Sequence, residues 1–93
     1  MDLNQTITLS PDVISQEVSG ETVLLDLESE NYFGLDEVGT RIWQLIKESG
    51  DLHTIYNTLM EEYEVSAEQL QQDLDALLGE IEKLGLITLC KAA

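Results

Sequence analysis

Apolar positions along the chain recur first with a period of two and, after Asp36, with periods of three and four. Val13 to Val18 alternates, with Ile14, Gln16 and Val18 on one face. Ser19-Gly20 is a turn signal, because glycine takes positive φ without steric cost. Thr22 to Leu27 then carries Val23, Leu25 and Leu27 on one face and Leu24 on the other, so this strand is expected to be covered on both sides. Glu28-Ser29-Glu30-Asn31 is the next turn. Tyr32 to Leu35 forms a short third strand, with Tyr32 and Gly34 facing one way and Phe33 and Leu35 the other. The three segments predict an antiparallel meander. Upstream, Met1 to Ser10 is polar with Ile7 and Leu9 alternating, which reads as a tail or a loose edge segment, and Pro11 marks a break.

Asp36 is a good N-cap, and Glu37 places a negative charge where the helix dipole favours it. The first helix runs to about Glu48, with Val38, Ile42, Leu45 and Ile46 as its inner stripe and Trp43 widening it. Gly50 supplies the stop. Asp51 is expected to cap a second helix with Leu52, Ile55, Leu59 and Tyr63 inside. Ser66-Ala67-Glu68-Gln69 reads as a capping box, in which the Ser oxygen meets the Gln69 amide and the Gln side chain reaches back. The third helix spans Ala67 to about Lys83, and Leu70, Leu74, Leu77, Ile81 and Leu84 recur on one face. Gly85 ends it, and Leu86 to Leu89 is short and apolar enough to be a final strand. A three-stranded antiparallel sheet followed by three helices is an α+β domain of winged helix-turn-helix-like type, with the second and third helices as the helix-turn-helix pair.

Charge changes the picture of partners. The 93 residues carry 19 Asp and Glu against 4 Lys and Arg, a formal charge of −15. Nucleic acid and anionic membrane are repelled by such a surface, and a basic peptide is attracted. The helix-turn-helix pattern invites a winged-helix transcription regulator, but DNA affinity rests on Lys and Arg neutralising phosphates. The helix that would read the groove holds Glu68, Asp73, Asp75, Glu80 and Glu82 against a single lysine. The one cysteine, Cys90, fits a reducing compartment. The N-terminal segment lacks the basic start and apolar run of a signal peptide, and no run approaches the ~18 apolar residues of a membrane span, so the chain reads as cytoplasmic.

Catalytic and metal chemistry find little support. His53 has no second His and no Cys at metal-ligand spacing. There is no phosphate-binding glycine motif and no nucleophile elbow. Carboxylates are so abundant that choosing two as acid and base would be arbitrary. No enzyme activity, metal or cofactor is expected. What remains is peptide binding. A three-stranded meander has an edge that pairs readily with an extended peptide. Gly34 lets a second backbone come close, and Tyr32 and Phe33 offer anchoring rings.

Three stretches, Tyr32-Phe33-Gly34-Leu35-Asp36-Glu37-Val38-Gly39-Thr40-Arg41-Ile42-Trp43, Glu62-Tyr63-Glu64-Val65 and Leu84-Gly85-Leu86-Ile87, together with Val23-Leu24-Leu25-Asp26-Leu27, resemble the PqqD-like family. These are the RiPP recognition elements, the leader-binding domains of ribosomally made, modified peptides. The likeness covers residues 13–89, leaving 1–12 as a tail or edge segment and 90–93 as a C-terminal tail. It implies a small peptide chaperone that binds the leader segment of a precursor as an extra strand and presents it to modifying enzymes. Carried onto this sequence, the leader strand pairs with Tyr32, Phe33, Gly34 and Leu35. The groove wall falls among Leu70, Asp73, Leu74 and Leu77 of the third helix, three of which equally fit the core stripe. The Tyr-Phe-Gly-Leu strand entering Asp-Glu-Val-Gly looks most like the stand-alone proteins of lasso-peptide antibiotic biosynthesis. The partners would then be a leader peptidase and a cyclase. A chaperone delivering a precursor to a radical enzyme in PQQ biosynthesis is the alternative. The chain is expected to be a discrete adaptor without a fused catalytic domain.

Overall fold

The change of period at Asp36 divides the first four strands from the three helices in the computed structural model, which describes residues 2–91. The order is β1 (Gln5–Leu9), β2 (Val13–Val18), β3 (Glu21–Asp26), β4 (Tyr32–Leu35), α1 (Glu37–Glu48), α2 (Leu52–Glu62), α3 (Ala67–Lys83) and β5 (Ile87–Lys91). β2, β3 and β4 form an antiparallel sheet in that order, as the alternation predicts. The fold is α+β, with this sheet followed by three helices.

β1 and β5 form a second, two-stranded antiparallel sheet, with Ile7 opposite Leu89. The segment read as a tail or loose edge is therefore a paired strand from Gln5 to Leu9, and Ile7 joins the core. Its partner continues through Cys90 and Lys91, so the expected C-terminal tail begins inside β5; its last two positions, 92 and 93, lie outside the described residues. Gly50 fixes β1 to the end of α1. The Ile7 amide donates to the Gly50 carbonyl at 2.7 Å. Gly50 has φ +72°, and a Cβ there would lie 2.8 Å from the Ile7 carbonyl oxygen. Left-handed backbone and close approach thus both require glycine.

The face assignment of β2 and β3 is corrected. Leu24 and Thr22 are buried, whereas Val23 and Leu27 are 45% and 53% exposed. Ile14 and Val18, on the face of β2 that the alternation selected, are exposed as well. The sheet is covered on one side only. The inner phase at the end of β3 belongs to Asp26, whose carboxylate accepts from the Glu28 amide and the Ser29 hydroxyl. A carboxylate tied into a turn is satisfied where it is buried, and it sets the phase that sends Leu27 outward.

The helices follow their caps and stripes closely. Asp36 accepts from the Gly39 amide at 2.8 Å, and Ser66 from the Gln69 amide at 3.1 Å. Gln69 does not reach back to complete the capping box; its amide donates forward to Asp73 at 2.9 Å. Asp51 precedes α2 without a side-chain bond to the helix amides and instead accepts from the Thr54 hydroxyl. In α1, Ile42, Trp43, Leu45 and Ile46 are buried, while Val38 is 42% exposed. In α2, Leu52, Ile55 and Leu59 are buried. In α3, Leu70, Leu74, Leu78 and Ile81 make the buried stripe. Leu78 takes the place expected of Leu77, which is only partly buried, and Leu84 is exposed. Leu24 and Leu35 of the sheet pack with these side chains into one core.

Candidate functional site

β4 is four residues long and lies at the edge of its sheet. The phase of its ladder follows from one bond beyond the strand. The Asp26 amide donates to the Asn31 carbonyl at 3.0 Å. In an antiparallel pair, hydrogen-bonded and non-bonded residue pairs alternate. Leu24 opposite Phe33 and Thr22 opposite Leu35 are therefore the bonded pairs, and Val23 opposite Gly34 and Leu25 opposite Tyr32 are not. The N–H and C=O groups of Tyr32 and Gly34 consequently point away from β3, toward the open edge. They form a row of donors and acceptors for an added strand.

Beside that edge lies a cleft of about 510 Å³, lined by Phe33, Gly34 and Leu35 of β4, Asp36 at the cap, Val38, Gly39 and Ile42 of α1, and Asp73 and Leu77 of α3. Its floor is apolar and its walls carry two carboxylates and no basic side chain. Asp36 is committed to the Gly39 amide, while Asp73, on the exposed face of α3, is held by Gln69. Gly39 shapes the floor, since a Cβ there would sit 3.2 Å from both Cβ and Cδ2 of Leu35. The nearby cation is spent elsewhere. Arg41 donates to both Glu62 oxygens, at 2.8 and 2.6 Å, tying α1 to α2. That contact holds the Glu62 carboxyl below its usual range and raises the Arg41 guanidinium further. Among the described residues no group of His, Cys, Asp and Glu is arranged to hold a metal ion.

Of the eight residues expected at the site, Phe33, Gly34, Leu35, Asp73 and Leu77 converge on this cleft. Tyr32 stands on the opposite, outer face of the sheet, 73% exposed. Leu70 and Leu74 do not line the cleft; at 4% and 0% exposure they belong to the core beneath it. Periodicity gives the whole apolar stripe of α3 but not which edge of it stays open. The contribution of α1 was missed: Val38, Gly39 and Ile42 were read only as helix. A signal was present in Gly39, because a glycine inside a helix costs about 1 kcal/mol relative to alanine and calls for a reason such as close packing.

The chain matches the family model of coenzyme PQQ synthesis protein D (PqqD) over residues 21–87. Two solved structures share its fold. TbiB1 in complex with the TbiA(beta) leader peptide is 35% identical, with a TM-score of 0.82 over 86% of this chain and 93% of that one. A lasso peptide synthetase B1 complexed with the leader peptide is 24% identical, with a TM-score of 0.79 over 89% of this chain and 98% of that one, a likeness of fold alone. No curated protein matches the sequence. The matched segment runs from the first residue of β3 to the first of β5, so it contains both the open edge and every residue that lines the cleft, and the chain belongs to the PqqD family.

Proposed function

We propose that this protein is a non-catalytic recognition protein that binds the leader segment of a ribosomally synthesised precursor peptide. The leader adds as a strand to β4, and the protein delivers the precursor to modifying enzymes, a leader peptidase and a cyclase of a lasso-peptide pathway. The observation that carries this reading is the outward-facing N–H and C=O groups of Tyr32 and Gly34 beside the cleft between β4, α1 and α3. Strand addition supplies affinity through the main chain and selectivity through pockets for alternate side chains. Side chains opposite Phe33 and Leu35 enter the cleft, where an apolar floor and Asp73 suit apolar and basic residues. The relative at 35% identity, TbiB1, is solved with the TbiA(beta) leader peptide, which supports leader binding, and the Tyr-Phe-Gly-Leu strand entering Asp-Glu-Val-Gly is our ground for the lasso pathway over delivery of a PQQ precursor. We read α2 and α3 as a helix-turn-helix pair and the β2–β4 sheet as the wing. The exposed side of α3 presents Glu68 and Asp75 where a DNA reader would need cations. No helix among the described residues is long and apolar enough to cross a membrane, and we place the protein in the cytoplasm.

Titration of fluorescently labelled lasso-type and PQQ-type leader peptides, followed by anisotropy, tests the reading. Saturable binding that an unlabelled leader competes away supports it. Failure of lasso and PQQ-type leaders alike to bind overturns it.

A further inference from the structure

The outer face of the β2–β4 sheet is apolar and uncovered. Ile14, Leu25 and Tyr32 stand in one row across the three strands, and Gln16, Val23 and Gly34 in the next. Tyr32 is 73% exposed and Val23 45%. Between Val23 and the open edge there is only Gly34. A Cβ at Gly34 would meet nothing within 4 Å, and its φ lies outside the left-handed range, so neither packing nor backbone demands glycine there. Glycine inside a strand is destabilising relative to alanine. The chain thus leaves a notch on the outer face, next to Tyr32, along the edge that an added strand would adjoin.

We propose that the leader is read from both faces of the sheet. The residue paired with Gly34 turns its side chain to the outer face, fills the notch against Val23 and packs beside the Tyr32 ring. This rests on the strand-addition reading above and extends it to a second subsite. The ladder phase dictates the geometry. A peptide bonded to the outward N–H and C=O of Gly34 places its paired residue on the same face as Gly34. Strands lie about 4.8 Å apart, so Val23 is two spacings from the peptide. A side chain at residue 34 would stand between them. With glycine there, a long or aromatic side chain reaches across. Leu, Met, Phe or Tyr fits this description; Ala and Gly are too short. An acidic residue is disfavoured by Glu21, two residues from Val23 on the same face of β3 and exposed.

The test uses the full-length protein and the labelled leader. Gly34→Val should fold, with an unchanged or higher melting temperature, because the site is open and β-branched residues suit strands. It should weaken leader binding at least tenfold, and Gly34→Ala should weaken it less. Val23→Ser should weaken binding about threefold. An alanine scan of the leader should find one position whose truncation weakens binding to the unaltered protein but has no further effect on Gly34→Val. Isotope-filtered NMR of the unaltered complex should show that side chain in contact with the Val23 methyls, a readout that holds even if a variant misfolds. Equal affinity of the unaltered protein and Gly34→Val, or no leader contact at the Val23 methyls, overturns the inference while leaving strand addition standing. A leader that binds neither protein overturns the parent reading as well.

Discussion

Asp73 and Asp75 stand two positions apart on α3 and meet different surroundings. Asp73 lines the cleft, accepting from Gln69, whereas Asp75 lies about 200° around the helix on the far face. Both are exposed, so a charge reversal at either should change stability by no more than about 0.5 kcal/mol. Asp73→Lys should weaken binding of a leader with a basic side chain in the cleft, and Asp75→Lys should not. Anisotropy titrations of both variants check this. Equal losses would mean that the acidic surface acts only through its total charge, and no loss from Asp73→Lys would remove that residue from the site. At this scale the sequence was a partial guide. Asp73 was singled out by the family resemblance, which puts the groove wall on α3, and its position at the border of the apolar stripe agrees with that. Leu70 and Leu74 could not be separated from Leu77, because four- and three-residue spacings describe a stripe without saying which part of it the sheet covers.

The elements themselves were legible from caps and turns, which are local: Asp36, Gly50, Ser66 and Gly85 mark boundaries that the structure keeps within a residue or two. Pairing between β1 and β5 was not legible, since it joins residues 78 to 86 positions apart with no local signature. The inner face of β3 was misread because Asp26, a buried carboxylate satisfied by its own turn, holds the phase that a hydrophobic count gives to Leu27. The ladder phase of β4 makes a sharp prediction. Gly34 donates no bond to β3, so Gly34→Pro should remove a donor only from the open edge, where proline is tolerated. It should keep a native circular dichroism spectrum and lose most leader binding. Phe33→Pro removes a donor inside the β3–β4 ladder and should lower the melting temperature clearly. Matching losses of stability in the two variants would show that the phase is wrong. The α1–α2 tie makes another. The Arg41 contact lowers the Glu62 pKa from 4.5, so its stabilisation is present above that value and is lost as pH falls through the lower, folded-state value. The melting-temperature deficit of Glu62→Gln should therefore shrink as pH is lowered from 4.5 through the folded-state value, as thermal melts across that range would register. A constant deficit would mean that the contact is packing rather than charge.

For the molecule as a whole, a charge of −15 on 93 residues acts at distances no single contact reaches. The cleft adds to that field, because its two charged lining residues are both acidic and the guanidinium on α1 is already paired with Glu62. A leader with net positive charge is drawn toward this surface before any hydrogen bond forms, which raises the rate of encounter rather than the lifetime of the complex. On the strand-addition proposal the seated peptide is held by main-chain bonds to Tyr32 and Gly34 and by apolar side chains, neither of which salt screens strongly. Salt should consequently divide the kinetics. Between about 20 mM and 500 mM sodium chloride the screening length falls from roughly 20 Å to about 4 Å. The association rate of a basic leader should drop at least ~10-fold across that range, while the dissociation rate changes by less than ~2-fold. Stopped-flow anisotropy resolves both rates, and a leader made neutral by Lys→Gln changes serves as the control, expected to lose most of the salt dependence of its association. If salt instead accelerates dissociation, the complex is held by exposed ion pairs, and Asp73 rather than the β4 edge becomes the main source of affinity.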